Sequence, residues 1–399
     1  MRMNKVNGLT LTFSVDFILS FIIVTPYLLP YMVRTELLPS SVVFGIEFMS
    51  IILMVLYIII NIRVIHYCIQ ETMIILVMFA LLIHTTYVNN GGVVTAGYKS
   101  VQIVCACLFL CTIVYRKEYV KWFLCAVKYY TFLFCILHIV LMMVYPLGIP
   151  SFTVGKLAPH YLYGNVNATI KYLFPGMLCS SLIDYKNEKI SLTSIVLWFS
   201  VLYQFVCIYH SATSLVALLY ISVWLILYKI IVERLRTVYL VSIVVIFALE
   251  LLIVVMSNTN VIGFIVGLFG KSGDFSGRAF LWQRITSLIR LNPIFGVGLQ
   301  SANQIKYSIG NSSGSHNYYL DMVYQQGFIG LGVFLLFVLQ PLIYINKNRI
   351  SIATYVVLGF CIGYLIMFLT EPFFGHEITF LPIFFIASVL CKYKVPQYD

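Results

Sequence analysis

The stretch VFGIEFMSIILMVLYIIIN, residues 43–61, carries a single charged side chain, that of Glu47. A helix that crosses the hydrocarbon core of a bilayer needs about 20 apolar residues, so this stretch predicts a membrane-spanning helix. Eleven further apolar blocks of comparable length lie between residues 14 and 392. The pattern therefore predicts an all-α polytopic membrane protein with about twelve transmembrane helices.

The composition excludes a water-soluble protein. Of the 399 residues, 61% are apolar and only 10% are charged, whereas soluble domains carry about 25% charged residues. The net charge of +11 comes from cations spaced one to three at a time between apolar blocks, without a basic stripe. This spacing indicates the positive-inside rule rather than a nucleic-acid partner, and we expect no nucleic acid to bind.

The short loops predict the orientation of the chain in the membrane. With the N-terminus in the cytoplasm, fifteen Lys and Arg residues lie in cytoplasmic loops and tails, and three lie in the short loops of the opposite side. These three exceptions are Arg34, Lys99 and Lys156. We therefore expect both termini in the cytoplasm and six hairpins facing outwards.

One connection, residues 258–324, is far longer than the others and falls on the outer side. It divides the chain into three parts: spans 1 to 9 in residues 1–257, a large extracytoplasmic loop in 258–324, and spans 10 to 12 with a cytoplasmic tail in 325–399. Long loops are exempt from the orientation rule, so the five cations of this loop are not needed for topology. Long loops are also usually functional or disordered, and the aromatic and aliphatic residues here argue against disorder.

Residues 278–290 of this loop predict a short amphipathic helix. Its apolar side chains recur at helical spacing: Leu281, Trp282, Ile285, Leu288 and Ile289. Ser276 is the expected N-cap, and Arg278 stands at the positive end of the helix, where a guanidinium can bind a phosphate group through two hydrogen bonds. The alternative is a helix that lies in the membrane interface with its arginines facing phospholipid.

A second polar motif follows in Ser315-His316-Asn317, before the tenth predicted span. A neutral imidazole, with an ordinary pKa near 6.5, is the usual group that accepts a proton from a hydroxyl at neutral pH. The alternative is a histidine that is merely solvated in a loop.

Taken in order, three groups of residues resemble the signature of the O-antigen ligase and polymerase superfamily, bacterial membrane glycosyltransferases that use polyprenyl-diphosphate-linked sugars. The groups are Ser276-Gly277-Arg278 with Trp282, then Asn292-Pro293-Ile294 with Gly296 and Gly298, then His316-Asn317 with Leu320 and Gly327. Residues Gly164-Asn165-Val166-Asn167 also resemble the Gly-Asn-x-Asn element of that family.

The resemblance implies a GT-C-like fold in the bacterial plasma membrane, with an extracytoplasmic active site that polymerises undecaprenyl-diphosphate-linked repeat units into a capsular or O-antigen polysaccharide. It implies Arg278 and His316 as catalytic residues. The residues expected to bind substrate are Arg284, Trp282, Asn317, Asn165 and Asn167. The reaction needs neither ATP nor a metal, and no cofactor is expected. The implied partners are the lipid-linked glycan donor and acceptor, the bilayer, a chain-length regulator and a flippase.

The sequence departs from the family pattern at the start of the eighth span. Many members have a Ser-Arg step there, where this chain has Ser211-Ala212-Thr213-Ser214. A second phosphate contact would then come from Arg284, Arg290 or Lys171. Arg284 is the preferred candidate because it lies on the polar face of the same predicted helix as Arg278.

The last outer hairpin carries Glu371, His376 and Glu377. Capping and solvation of the twelfth span is the preferred interpretation of this cluster, ahead of a role in the active site. A further set of ionisable residues in or at the ends of spans indicates partner pairing or snorkelling. This set is Asp16, Glu47, Lys128, His138 and Glu250.

Three alternatives to a polymerase remain. A ligase that transfers finished glycan to another acceptor shares the donor and the leaving group. A flippase or other transporter has a similar number of spans, but transporters tend to show internal repeats and broken midplane helices, and no clear repeat is present here. A scaffolding membrane protein would not require an ordered arginine and histidine signature.

Overall fold

The computed structural model describes residues 15–153, 158–256, 278–310, 314–346 and 350–393. Within these ranges the chain folds into fourteen helices of eight residues or more. They are α1 Val15–Leu28, α2 Ser40–Ile60, α3 Ile69–Val88, α4 Val93–Val114, α5 Lys117–Val144, α6 Thr169–Asn187, α7 Leu192–Tyr203, α8 Ala212–Ile226, α9 Leu235–Met256, α10 Arg278–Ile289, α11 Ala302–Ile309, α12 Tyr318–Leu339, α13 Ile352–Phe368 and α14 Leu381–Lys392.

Shorter pieces connect these helices. Single α-helical turns occupy Pro150–Thr153, Tyr228–Ile231 and Pro341–Tyr344; 3₁₀ segments occupy Ile62–Cys68, Val166–Ala168, Val232–Arg234 and Glu377–Thr379; π-helical segments occupy Val33–Leu37 and Gln204–Ile208. Two strands of two residues each, His160–Tyr161 and Gly164–Asn165, pair antiparallel. Apart from this small hairpin, the described part of the chain is all-α, as predicted.

Six helical segments in the described residues are long and apolar enough to cross a membrane: Ser40–Ile60, Ile62–Val88, Val93–Val114, Tyr119–Val144, Tyr228–Val254 and Tyr318–Tyr344. Four shorter apolar helices accompany them: Val15–Leu28, Leu192–Ile208, Ala212–Ile226 and Ile352–Phe368. The chain is therefore a multi-pass helical membrane protein. The count of twelve spans and the GT-C-like fold stay predictions.

The last two helices form the centre of the bundle. All residues of α14 except Lys392 are buried, and so are all residues of α13 except Ile352 and Ile366. Helix α13 packs against α6, α8, α9 and α14, while α14 also packs against α4. A helix that is apolar all round is stable only inside the protein or the bilayer. The connection between these two central helices, the 370–377 loop, is consequently held in the middle of one end of the bundle.

Helix α12 is broken at Gly327, whose φ of 67° and ψ of −174° are not helical. The segment 293–298 lies against the break and binds the backbone groups that the break frees. Four hydrogen bonds join them: Val297 N to Tyr324 O (2.9 Å), Gly298 N to Gln325 O (2.8 Å), Phe328 N to Pro293 O (2.8 Å) and Ile329 N to Ile294 O (3.3 Å). These hydrogen bonds stabilise the break in the helix.

Two predicted boundaries in the large loop can be compared with the structure. The amphipathic helix expected over residues 278–290 is confirmed as α10, although its expected cap, Ser276, lies outside the described residues. The tenth span, expected from residue 326, begins earlier because α12 starts at Tyr318. The unpredicted helix α11 begins with a capping box formed by Ser301 and Gln304.

Candidate active site

Arg278, the first residue of α10, reaches the 370–377 loop. Its guanidinium donates one hydrogen bond to the carbonyl oxygen of Thr370 and another to the Glu371 carboxylate, at 3.3 Å. The side chain of Arg278 is 15% exposed and that of Glu371 only 3%. A guanidinium has five N–H groups, so three of those of Arg278 take no partner among the described residues. The loop therefore holds the guanidinium in place, and three of its N–H groups are not used by the described residues.

Helix α10 is held by its apolar face. Trp282, Ile285 and Ile289 are buried in a cluster that includes Leu320 and Val323 of α12. The apolar face, which the alternative interpretation placed in the membrane interface, packs on another helix of the same protein. The indole of Trp282 also donates a hydrogen bond of 2.9 Å to the carbonyl oxygen of Ser315, which ties α10 directly to the residue before His316.

His316 occupies a strained turn. Its φ of 56° lies in the left-handed region that β-carbon-bearing residues rarely adopt. Ser315 supports the turn, because its backbone N–H donates to Asp321 (2.9 Å) and its hydroxyl donates to the carbonyl oxygen of Asn317 (2.7 Å). Such a strained backbone persists only where surrounding contacts hold it. The hydrogen bonds of Ser315 therefore help to fix the direction in which the imidazole of His316 leaves the chain.

The electrostatics of His316 follow from this position. Burial, together with the positive charges of Arg278 and Lys171, lowers the pKa of the imidazole to about 3. Nδ1 of His316 is buried and has no hydrogen-bond partner in the described part of the chain. At neutral pH the imidazole is therefore uncharged, and its Nδ1 is not used by a hydrogen bond to the described residues.

Asn317 is fully buried and entirely occupied by protein contacts. Its amide nitrogen lies 2.9 Å from both carboxylate oxygens of Glu250 and 3.1 Å from the carbonyl oxygen of Leu369, and its side-chain oxygen accepts from Leu320 N at 3.0 Å to cap α12. These contacts leave no polar atom of its side chain for a ligand. The sequence predicted partner pairing or snorkelling for Glu250, and its carboxylate pairs with this amide.

Lys171 joins the site from α6. It is 4% exposed, its ammonium donates to the carbonyl oxygen of Pro372, and its Nζ lies 5.0 Å from the centre of the Phe373 ring. Electrostatic interactions connect it with both Glu371 and Arg278. Lys171 and Arg278 are thus bound to carbonyl oxygens two residues apart in the 370–377 loop, with the carboxylate of Glu371 between those positions.

The Gly-Asn-x-Asn element leads into α6. Gly164 has a φ of 87° at the turn of the β-hairpin, and the Asn165 side chain accepts a hydrogen bond of 2.9 Å from the backbone N–H of Asn167. This turn ends at the first residues of α6, one turn before Lys171. The described hydrogen bonds of Asn165 therefore fix the path of the chain into the site.

Arg284 lies away from the cluster of Arg278, Lys171 and His316. Its Nε donates to the carbonyl oxygen of Ser308 at 2.6 Å, and its side chain is on the exposed face of α10, beside α11. Lys171, which the sequence ranked behind Arg284, is the cation that accompanies Arg278.

The interpretation of Glu371 as a capping or solvated residue is wrong, because its buried carboxylate pairs with Arg278. The signal available in the sequence was the group of ionisable residues on the last outer hairpin, Glu371, His376 and Glu377.

His376 and Glu377 continue the same loop. Burial, together with the positive charges of Lys171, Arg34 and Lys99, lowers the pKa of His376 to about 3. Burial raises the pKa of the Glu377 carboxyl, and the nearby Lys99 opposes this shift. Among the described residues, no three His, Cys, Asp or Glu side chains are grouped so as to hold a metal ion.

The fold and this cluster define a multi-pass membrane protein in which an arginine, a lysine and an uncharged histidine converge at one end of an apolar bundle. Comparison with known proteins agrees with this class. Residues 196–335 match the family model described as O-antigen ligase, a range that includes Arg278 and His316 and stops before the 370–377 loop. The matches support the O-antigen ligase/polymerase superfamily predicted from the motifs.

A curated relative is the exopolysaccharide production protein ExoQ of Rhizobium meliloti, which is 32% identical over 90 residues. That alignment covers 20% of this chain and 21% of ExoQ, so the match spans about a fifth of the relative's length.

Proposed function

We propose that the chain polymerises undecaprenyl-diphosphate-linked oligosaccharide repeat units into a surface polysaccharide, by glycosyl transfer on the outer face of the plasma membrane. The observation that carries the proposal is the convergence of Arg278, Lys171 and His316 beside residues 370–372. Two cations suit a leaving group that bears phosphate charge, and an uncharged imidazole beside them suits a hydroxyl that must lose a proton.

In the proposed reaction, a hydroxyl oxygen of the acceptor sugar attacks the anomeric carbon of the donor glycan. The bond between that carbon and the phosphate oxygen breaks, and its electron pair leaves with undecaprenyl diphosphate. The free N–H groups of Arg278 and the ammonium of Lys171 stabilise the negative charge that grows on the diphosphate. The elongated glycan stays on the acceptor's carrier lipid.

His316 takes the proton of the attacking hydroxyl. In the empty site its pKa of about 3 makes the imidazole a weak base, because burial and, after it, the charges of Arg278 and Lys171 disfavour the imidazolium. A bound diphosphate brings negative charge to those two cations and so raises the basicity of His316. The histidine therefore becomes an effective proton acceptor only when the donor is in place.

Trp282 and Asn317 act as positioning residues in this proposal. The indole holds the carbonyl of Ser315, and the buried amide links Glu250, Leu369 and the start of α12, so that both hold the strained turn at His316. Asn165 and Asn167 fix the entry to α6 and thereby the position of Lys171. Direct contact of Arg284 with substrate stays a prediction.

The energy for transfer is stored in the anomeric phosphate bond of the donor. The reaction accordingly proceeds on the extracytoplasmic side with both termini of the chain in the cytoplasm, and it uses neither ATP nor a metal ion. A flippase supplies the lipid-linked repeat units from the cytoplasm, and a chain-length regulator acts with the polymerase.

The test uses the purified full-length chain in phosphatidylcholine vesicles with a synthetic undecaprenyl-diphosphate-linked repeat unit. We expect a ladder of longer lipid-linked glycans and one free undecaprenyl diphosphate for each bond formed. Variants His316→Ala and Arg278→Ala are expected to give no ladder while still inserting into the membrane. Normal chain lengths from either variant would overturn the assignment of that residue.

A ligase is the second candidate, favoured by the match of residues 196–335 to the O-antigen ligase model. Deletion of the gene separates the two functions. Loss of a polymerase leaves single repeat units, whereas loss of a ligase leaves long chains on the carrier lipid. Single units trapped inside the cell would instead indicate a flippase.

A further inference from the structure

Two cations outside this site lie at the other end of the 370–377 loop. Lys99 of α4 has its Nζ 5.2 Å from the centre of the Phe374 ring, and Arg34 of the Val33–Leu37 segment acts electrostatically on His376, as does Lys99. Both were exceptions to the positive-inside pattern of the short loops. Since topology does not require them on this side, their place beside the loop calls for another explanation.

Arg34 is held on one side by a buried and hydrogen-bonded carboxylate. Its guanidinium pairs with Glu47, whose side chain is 9% exposed while that of Arg34 is 43% exposed. The second oxygen of Glu47 accepts hydrogen bonds from Tyr98 (3.1 Å) and Gln102 (3.3 Å). The buried carboxylate is therefore fixed on one side of Arg34, and the other side of the guanidinium is open to a ligand.

Lys99, the residue after Tyr98, has no carboxylate oxygen within 4.0 Å in the described ranges. An ammonium that no protein carboxylate neutralises can pair with the charge of a bound anion. Glu377 interacts electrostatically with Lys99, and burial favours the uncharged form of that carboxyl. The Lys99 charge is consequently available to a bound anion.

An apolar groove runs into the bundle from the end that carries the 370–377 loop. Its end near the loop is lined by Tyr27, Ile378 and Thr379, and it continues along α14 from Pro382 to Leu390, a distance of about 12 Å at 1.5 Å per residue. The cavity volume is about 160 Å³. An apolar cavity of roughly 150 Å³ stays dry and binds a benzene-sized group, which is also about the size of one five-carbon isoprene unit.

Tyr27 connects the groove with the surroundings of the cation pair. It lines the groove and interacts electrostatically with Glu47, the partner of Arg34, and with Tyr98, the residue before Lys99. Ile378 and Thr379 follow His376 and Glu377 directly in the chain. A polar head bound between Arg34 and Lys99 would therefore lead straight into an apolar channel.

We propose that Arg34, Lys99 and this groove form a second site for a polyprenyl diphosphate, which holds the carrier lipid of the acceptor while Arg278 and Lys171 hold that of the donor. The proposal rests on the function proposed above and deepens it. A polymerase uses two carrier lipids at once, whereas a ligase uses only the donor's. Two head-group sites in one chain are what a polymerase requires.

The separation of the two cation pairs fits this assignment. The acceptor's diphosphate lies at the end of its oligosaccharide opposite to the attacking hydroxyl, so the two diphosphates cannot occupy one position. The Cα atoms of residues 370 and 377, at the two ends of the loop, lie at most about 25 Å apart. A repeat unit of a few sugars held between Lys99 and His316 bridges a distance of this order.

The first experiment measures how many undecaprenyl diphosphate molecules bind to the full-length chain in phosphatidylcholine nanodiscs, by native mass spectrometry. We expect two for the wild type, one for the variant Lys99→Gln with Arg34→Gln and Glu47→Gln, and one for Arg278→Gln with Lys171→Gln. Removal of Glu47 together with Arg34 avoids a buried unpaired carboxylate. The control Arg290→Gln removes an exposed cation and should still bind two.

The outcomes separate this proposal from the one on which it rests. One molecule bound to the wild type, lost in the Arg278 and Lys171 variant and kept in the Lys99 variant, would overturn the second site and leave glycosyl transfer intact. No molecule bound to the wild type would overturn both.

The groove is tested separately by filling it. Ala106→Phe places a ring in the groove while leaving every cation in place, and we expect it to reduce the bound number from two to one. Val94→Phe adds the same volume at a residue that is 86% exposed and should bind two. Two molecules bound to Ala106→Phe would show that the groove does not hold the carrier lipid.

Discussion

At the scale of single residues, the site depends on one imidazole whose charge state is controlled by its neighbours. His316 is uncharged in the empty protein because burial and the charges of Arg278 and Lys171 disfavour the imidazolium. The same two cations are the groups that a diphosphate would neutralise. Substrate binding and proton acceptance are thereby coupled through electrostatics without any movement of the chain.

This coupling predicts the effect of Arg278→Gln on the two histidines of the site. Loss of a positive charge near His316 should raise its pKa from about 3 towards 6.5, whereas His376 should not shift, because the charges that act on it are those of Lys171, Arg34 and Lys99. The measurement is a pH titration of ¹³C-labelled histidine by NMR. Lys99→Gln is the matched control, which should raise the pKa of His376 alone.

The lowered pKa values also fix how stability depends on pH. Both histidines have pKa values near 3 in the folded protein, below the value of about 6.5 in the unfolded chain. At these two positions the unfolded state therefore binds more protons, so the histidines lower stability as the pH drops from 7.5 to 5, while carboxyls whose pKa burial raises, such as Glu377, act in the opposite direction. We expect the Tm in detergent to fall less, or to rise more, between pH 7.5 and pH 5 in His376→Phe than in the wild type. An equal change of Tm in the two proteins would contradict the low pKa of His376.

Arg278→Lys tests whether the shape of the guanidinium matters as well as its charge. A lysine cannot reproduce the forked contact with Thr370 and Glu371 while directing further donors at a ligand. We expect transfer to fall by a factor of about 100 or more, measured as product formed per minute in vesicles. Arg290→Lys, at the exposed end of α10, should transfer at the wild-type rate. Wild-type activity in Arg278→Lys would mean that charge alone suffices.

At the scale of the secondary structure elements, the family motif divides into two kinds of residue. Arg278 and His316 supply functional groups, whereas Gly296, Gly298 and Gly327 allow backbones to approach. A Cβ at Gly298 would lie 2.4 Å from the backbone of Thr86, and one at Gly296 would lie 2.5 Å from that of Gln325. The glycines hold the segment 293–298 against α12 and so fix the distance between the two halves of the site.

Helix α12 contains a matched pair of glycines for a stability test. Gly327 has a positive φ, and a Cβ there would lie 2.1 Å from the carbonyl oxygen of Ile294, whereas nothing lies within 4 Å of a Cβ at Gly332. Gly327→Ala should therefore lower stability by more than about 2 kcal/mol, and Gly332→Ala should be neutral or slightly stabilising. Thermal unfolding in detergent measures both. Equal Tm values would contradict the described break.

The elements also show which parts of the site the sequence can predict. The helix α10 follows from apolar side chains at a local spacing, and the turn at His316 follows from an ordered motif. The pairing of Arg278 with Glu371 joins residues 93 positions apart, and no local pattern carries that information. The same reason explains why Lys171 was ranked behind Arg284, which is closer to Arg278 in sequence but lies on the exposed face of α10.

At the scale of the whole molecule, the central position of α13 and α14 was not predictable from hydropathy. Their sequences are as apolar as those of helices that face lipid, such as α2, whose Met49, Leu56 and Ile59 are more than half exposed. Which apolar helix is central depends on packing between distant segments, for example the contact of α13 with α8. That packing places the 370–377 loop where cations from α4, α6 and α10 reach it.

The predicted topology requires that α11 and the 370–377 loop lie on the same side of the membrane, opposite to the connection between α6 and α7. Tyr307 of α11 is 90% exposed, and Lys189 is an exposed residue of that connection. In a background with Cys207, the exposed cysteine, replaced by serine, Tyr307→Cys should react with a membrane-impermeant maleimide in intact cells. Lys189→Cys should react only after permeabilisation. The reverse pattern would place Arg278 and His316 in the cytoplasm, where a donor already translocated by a flippase does not reach them, and the proposed polymerisation would then fail on topological grounds alone.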